Sequence, residues 1–188
     1  MENLVEVKNL KKIYGSKEAV KDISFTIKKD EILGLLGPNG SGKTTTIGML
    51  LGLLKPTNGE VLIDGKKIEE NRIEILKKIN FISPYIELPK KLTVKQNLIV
   101  YGKLYNVLNI NKRIEYLVEK LRLSELLNRV TGELSSGQKN RVSLAKALIN
   151  NPSVLFLDEP TASLDPEIGD FVRTFLENYK REKKISIL

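Results

Sequence analysis

The sequence predicts an α/β fold with three parts: a core on a parallel sheet, an N-terminal antiparallel β region and an inserted helical subdomain. Three observations predict it. Ile32-Leu33-Gly34-Leu35-Leu36 and Val154-Leu155-Phe156-Leu157 are short apolar runs bounded by turn or polar residues, as strands covered on both faces are. Near the N-terminus apolar and polar residues alternate. From about Val94 the apolar spacing changes to three and four, the period of a helix.

Taken in order, Val5 and Val7 alternate with Glu6 and Lys8, and Ile23-Ser24-Phe25-Thr26-Ile27 repeats the pattern of a half-buried strand. Ile32–Leu36 reads as a central strand buried on both faces, and Thr44–Leu53 as a helix. Pro56-Thr57-Asn58-Gly59 is a turn, and Val61–Ile63 is a strand closed by the turn residues Asp64-Gly65. Ile79–Ile82 is a further strand. Leu98, Tyr101, Leu104 and Tyr105 share one helical face, as do Ile114, Leu117, Val118 and Leu121. A third helix after Gly137 carries Val142, Ala145 and Leu148. After the strand Val154–Leu157, a last helix places Ile168, Phe171, Val172, Phe175, Leu176 and Tyr179 in the core, and Ile185–Leu188 begins another strand. Residues 1–83 and 151–188 are thus expected to form the α/β core and 84–150 the helical subdomain, all in one domain.

The chain has 188 residues, 41% of them apolar, enough for a packed core of ordinary size. It contains no Cys, which excludes disulfides and thiolate metal sites, and no His, which removes the commonest general base. Acid–base chemistry must fall to Asp, Glu, Lys or Tyr. The N-terminus lacks a signal-peptide pattern, and no apolar run approaches the about 20 residues that span a bilayer. A cytoplasmic location is therefore expected, and any membrane process needs a pore from another chain. The net charge of +8 comes from scattered pairs such as Lys28-Lys29, Lys66-Lys67, Lys77-Lys78 and Lys90-Lys91. That distribution reads as a solvated surface and not as a nucleic-acid stripe.

Gly37-Pro38-Asn39-Gly40-Ser41-Gly42-Lys43-Thr44 fits the phosphate-loop pattern, with a strand expected before it and a helix after. Phosphate oxygens need several donors at short range. Glycines let successive backbone N–H groups converge on one concavity, and the following helix points its positive end there. Lys43 adds a full charge for the outer phosphates, and the Thr44 hydroxyl can ligate Mg²⁺. Asp158-Glu159 follow the strand Val154–Leu157, and ligands of open α/β sheets collect at the carboxyl ends of strands. Asp158 is placed to hold Mg²⁺, through a water since that ion keeps much of its hydration shell. Glu159 is placed to reach the water attacking the γ-phosphate, as base or orienter. The core is then that of a P-loop NTPase.

These residues carry a family resemblance. Leu134-Ser135-Ser136-Gly137-Gln138 resembles the signature of ATP-binding-cassette (ABC) ATPases, with Ser136 where Gly is usual. Ser163-Leu164-Asp165-Pro166 is similar to the family's D-loop, and Tyr14 lies where the family carries an aromatic that stacks on adenine. The resemblance runs from about Val5 to Leu188. It implies ATP and Mg²⁺ as ligands and a head-to-tail pair of cassettes, of like or unlike chains, with ATP between the P-loop of one and the signature of the other. Ser135, Gly137, Gln138 and Asp165 then join Tyr14, Gly37 to Thr44 and Thr45 as nucleotide contacts. Thr44 and Asp158 are the metal residues and Glu159 the catalytic one. A transmembrane permease is the implied partner, with the cassette peripheral on the inner face of the membrane.

Two departures stand out. The family usually carries a Gln after the strand read as Ile79–Ile82, where this chain has Ser83-Pro84-Tyr85; Gln96 lies further on in a helical stretch. The family's switch His past the Ile185 strand has no counterpart, and the C-terminus reads as truncated, so retained ATP binding with impaired hydrolysis is expected. Turnover equal to that of a version extended through the His would refute this. The leading function is the energy-coupling ATPase of an ABC transporter, of export type on the resemblance. A non-transport ABC ATPase and a subunit that binds ATP without hydrolysing it are the alternatives. The absence of a long heptad run between Lys43 and Leu134, and the single cassette, argue against the former; the absent His and Gln argue for the latter and Glu159 against it.

Overall fold

The computed structural model describes residues 2–83, 87–161 and 164–188. The alternating N-terminal segments become β1 (Asn3–Tyr14) and β2 (Lys17–Lys28), a hairpin turning at Gly15-Ser16. Gly15 takes φ +57°, a value the hairpin turn needs and a Cβ disfavours. β3 (Asn58–Ile63) pairs antiparallel with β1, and the two-residue β4 (Lys66–Lys67) with β3, giving the order β2-β1-β3-β4. Alternation sends Val5, Val7, Val20, Ile27, Val61 and Ile63 inward, all buried.

The second sheet is parallel throughout. β5 (Ile79–Ile82), β6 (Val154–Leu157) and β7 (Ser186–Ile187) run in the order β5-β6-β7, with Ile79 opposite Val154 and Val154 opposite Ser186. β6 separates two cores. Val154 and Phe156 join the first, with β1, β3, α1 (Lys43–Leu50) and Ile75 of α2 (Arg72–Lys78). Leu155 joins the second, with α3 (Val94–Leu104), α4 (Ile110–Lys120), α5 (Ser136–Leu148) and Val172, Leu176 and Tyr179 of α6 (Pro166–Lys183). Burial on both faces explains why the strand reads as an unbroken apolar run.

Two local expectations are corrected. Ile32–Leu36 is not a strand buried on both faces. Ile32 makes a single parallel bridge to Ile187, and Leu33 N–H donates to the Ile187 carbonyl at 2.9 Å. The ladder stops there, Ile32 is 53% exposed and Leu36 wholly exposed. Past that rung the segment proceeds as irregular chain toward the phosphate loop. Leu104 lies 70% exposed and not on the buried face of α3. The helix ends there, and its inner face is Val94, Asn97, Leu98 and Gly102. Asn97 is polar yet fully buried, because its amide donates to Thr131 Oγ1 at 2.7 Å and to the Pro89 and Thr93 carbonyls at 3.2 Å.

The expected stripe on α6 holds: Val172, Leu176 and Tyr179 are buried, Ile168, Phe171 and Phe175 half-buried. Among the described residues no helix is long and apolar enough to cross a membrane.

Candidate nucleotide-binding site

The phosphate loop lies between Leu36 and the first turn of α1. Gly40 and Gly42 take φ +80° and +94°, and a Cβ on Gly42 would run into the Ala19 carbonyl oxygen of β2. Any larger residue at position 42 faces both a disfavoured dihedral and a backbone collision. Gly42 is the N-cap of α1 and offers no side chain to the free amides of the first turn, which leaves those donors for an anion. Lys43 curls back over its own loop, its Nζ donating to the Gly37 carbonyl at 2.7 Å and the Pro38 carbonyl at 3.1 Å. A cavity of about 500 Å³ opens beside the loop, walled by Glu18, Ala19, Val20, Lys21 and Ile23 of β2 together with Leu35, Leu36, Gly40 to Lys43 and Thr46. The β2 wall is absent from the sequence reading.

Asp158 reaches the same loop. Thr44 Oγ1 donates to Asp158 Oδ2 at 3.0 Å, joining residues 114 positions apart. Asp158 is 5% exposed, and its backbone N–H donates to the Ile82 carbonyl at 2.9 Å, so the parallel ladder sets its height. A hydroxyl and a buried carboxylate, both oxygen donors beside a phosphate cradle, suit the hard, water-retaining Mg²⁺ ion. The side chains expected to share a metal thus converge.

Glu159 leaves the sheet with φ +50°, a left-handed value that costs a residue with a Cβ about 1–2 kcal/mol. It is exposed, and with Pro160, Ile82 and Lys90 it lines a second cavity of about 220 Å³ whose far wall is Ser136, Lys139, Asn140 and Ser143 of α5. Asn140 Nδ2 donates to the Pro160 carbonyl at 2.8 Å, a contact sequence reasoning missed.

Ser135 caps α5: its Oγ accepts from Gln138 N–H at 3.3 Å, and Gln138 Oε1 accepts from Ser135 N–H at 3.0 Å. Ser135 and Gln138 therefore make a reciprocal capping box. Gly137 is buried against Ile168. Among the described residues these positions line neither wall of the phosphate-loop cavity of their own chain. Tyr14 stands at the end of β1, 47% exposed with Lys12 Nζ 5.0 Å above its ring, and is likewise not a lining residue of that cavity. Thr45 is half-buried in the first turn of α1. Asp165 is the N-cap of α6, with Pro166 in the first turn. Gln96 serves the Thr93 cap of α3, accepting from Thr93 N–H at 2.9 Å. Pro84, Tyr85 and Ser163, singled out in the sequence, lie outside the described residues.

Comparison with known proteins agrees with this geometry. The pattern of the ABC transporter family matches residues 20–162. The bacitracin transport ATP-binding protein BcrA of Bacillus licheniformis is 37% identical over 190 residues, covering 100% of this chain and 61% of BcrA. The ABC transporter ATP-binding protein NatA of Bacillus subtilis is 37% identical over 170 residues, covering 89% of this chain and 69% of NatA. The chain thus spans roughly two thirds or less of these relatives. Among solved structures, the ATP-binding cassette MJ0796 in a dimeric post-hydrolysis state bound to ADP and Pi superposes with a TM-score of 0.87 at 30% identity. That alignment covers 97% of this chain and 86% of MJ0796. With its phosphate loop, converging acidic strand end and capped signature helix, this chain belongs to the ABC transporter family as an ATP-binding cassette domain.

Proposed function

We propose that the chain binds ATP with magnesium and hydrolyses it to drive transport through a separate membrane permease, as one half of a head-to-tail pair of cassettes. The observation that carries this reading is the 3.0 Å contact of Thr44 with Asp158 beside Lys43 and the glycine loop. The names of BcrA and NatA as transport ATP-binding proteins, and the dimeric state of MJ0796, support it.

In this reading the loop amides and Lys43 hold the β- and γ-phosphates, and Thr44 and Asp158 hold the ion. Bound Mg²⁺ offsets the charge gathering on the transferred phosphoryl group. Glu159 orients the attacking water and takes its proton. Tyr14 stacks on adenine. Ser135, Gly137 and Gln138, with Asp165, serve the nucleotide held by the partner cassette, at the positive end of α5. Nucleic acid has no role, and the chain works on the cytoplasmic face of the membrane, peripheral to the permease.

Titration calorimetry with and without magnesium tests this. Lys43→Ala is expected to weaken Mg-ATP binding about ten- to a hundredfold, the worth of one charge-assisted contact. A parent with no magnesium-dependent ATP affinity, or a Lys43→Ala variant that binds like it, overturns the reading.

A further inference from the structure

We infer that Asn140 is the positioning residue of Glu159, and through it the link between the signature helix and the hydrolytic centre of the same chain. The inference rests on the functional reading above. Its ground is a polar tether that crosses a gap. A cavity of about 220 Å³ is walled by both α5 and the Glu159-Pro160 turn. At its edge the half-buried Asn140 donates Nδ2 to the Pro160 carbonyl at 2.8 Å.

The turn needs such a tether. The β5–β6 ladder fixes Asp158, whose N–H is bonded to Ile82, but the chain leaves the sheet at the next residue. Glu159 then adopts φ +50°, and Pro160, which has no N–H to give, follows it. A left-handed residue before a proline relaxes unless something holds it. Asn140 grips the carbonyl one residue beyond Glu159 and so sets the direction in which that side chain leaves the backbone.

The two ends of the tether serve different nucleotides. The start of α5 faces the ATP held by the partner cassette, while Glu159 serves the ATP held by its own chain. A tilt of α5 on meeting the partner's γ-phosphate is passed to Glu159 along one hydrogen bond. Asn140 thereby couples the two sites of the pair without touching either substrate.

Two variants separate this role from a purely structural one. Asn140→Asp keeps the shape and replaces the donor by an acceptor facing a carbonyl, whereas Asn140→Gln keeps an amide donor on a longer arm. Single-turnover hydrolysis at saturating Mg-ATP is expected to fall about tenfold in Asn140→Asp, with the ATP dissociation constant changed less than twofold and at least half of the rate regained in Asn140→Gln. Amide hydrogen exchange at Glu159 and Thr161 should quicken in Asn140→Asp, with β6 unchanged. An Asp variant with parental rate and parental exchange overturns the inference, as does equal loss in both variants. A parent that fails to bind Mg-ATP sinks the functional reading instead, and exchange at Glu159 and Thr161 still decides the role of Asn140.

Discussion

Glu159→Gln is expected to hydrolyse bound Mg-ATP about a thousandfold more slowly than the parent in a single turnover, while binding ATP at least as tightly. The chain has no His and no Cys, so Asp, Glu, Lys and Tyr are its candidates to take a proton from the attacking water. Lys43 is committed to the loop carbonyls and Asp158 to Thr44. Glu159 is the remaining acid at the end of β6, exposed to the cavity and free of the ladder. A positioned general base contributes typically 10²–10⁴-fold, and a phosphoryl acceptor must be held as well as deprotonated. The amide keeps the shape of the carboxylate and still orients water, but takes no proton. It also removes a negative charge near a polyanion, which is why affinity is preserved or improved. The measurement is release of labelled phosphate with protein in excess over ATP, alongside a binding titration. A Gln variant within tenfold of the parent would return the base role to solvent or to another residue.

The chemistry was legible where it is local in sequence. Eight consecutive residues make the phosphate loop, and its working parts are backbone groups whose aim follows from glycine and a helix start. Asp158 was legible because an apolar run covered on both faces ends in a charge. What escaped was set by tertiary approach. Glu18 to Lys21 wall the loop cavity only because the β1–β2 hairpin folds over α1, and no residue type in that stretch announces it. An apolar run such as Ile32–Leu36 shows affinity for a core but not which strand, if any, pairs along it. Leu104 is the last residue of α3, where the stripe no longer faces the core. Asn140 and Lys146 escaped for a different reason. Polar side chains on α5 read as surface, although Val142, Ala145, Lys146 and Ile149 follow the same three-four spacing and all are buried.

Lys146→Met is expected to stabilise the fold at neutral pH by about 2 kcal/mol, an advantage that fades as the pH rises toward 10. Lys146 is 8% exposed, with Nζ 3.4 Å from Asn80 Oδ1 and 5.1 and 5.3 Å from the Phe81 and Tyr101 ring centres. Burial, with no carboxylate partner among the described residues, pulls its pKa from the ordinary 10.5 down to about 8. Below that value the group is charged in both states, and the fold bears the whole cost of keeping an ammonium out of water. Between about 8 and 10.5 the unfolded chain still holds the proton that the folded chain has released, so parental stability climbs with pH by roughly 3 kcal/mol. The two rings return part of the cost at low pH, about 1 kcal/mol for cation–π contacts. Met matches the length of the stem, carries no charge and leaves no acceptor stranded, because Asn80 Oδ1 also takes the Phe81 N–H at 2.9 Å. Burial also holds Tyr105 above its usual pKa. Urea unfolding of parent and variant at pH 7 and pH 9.5 reads the difference directly. A variant no more stable than the parent at pH 7, or a gap that does not shrink at pH 9.5, would mean that the rings and Asn80 compensate the buried charge in full. The ATP affinity of the variant should equal the parent's, because Lys146 lines neither cavity of the nucleotide site.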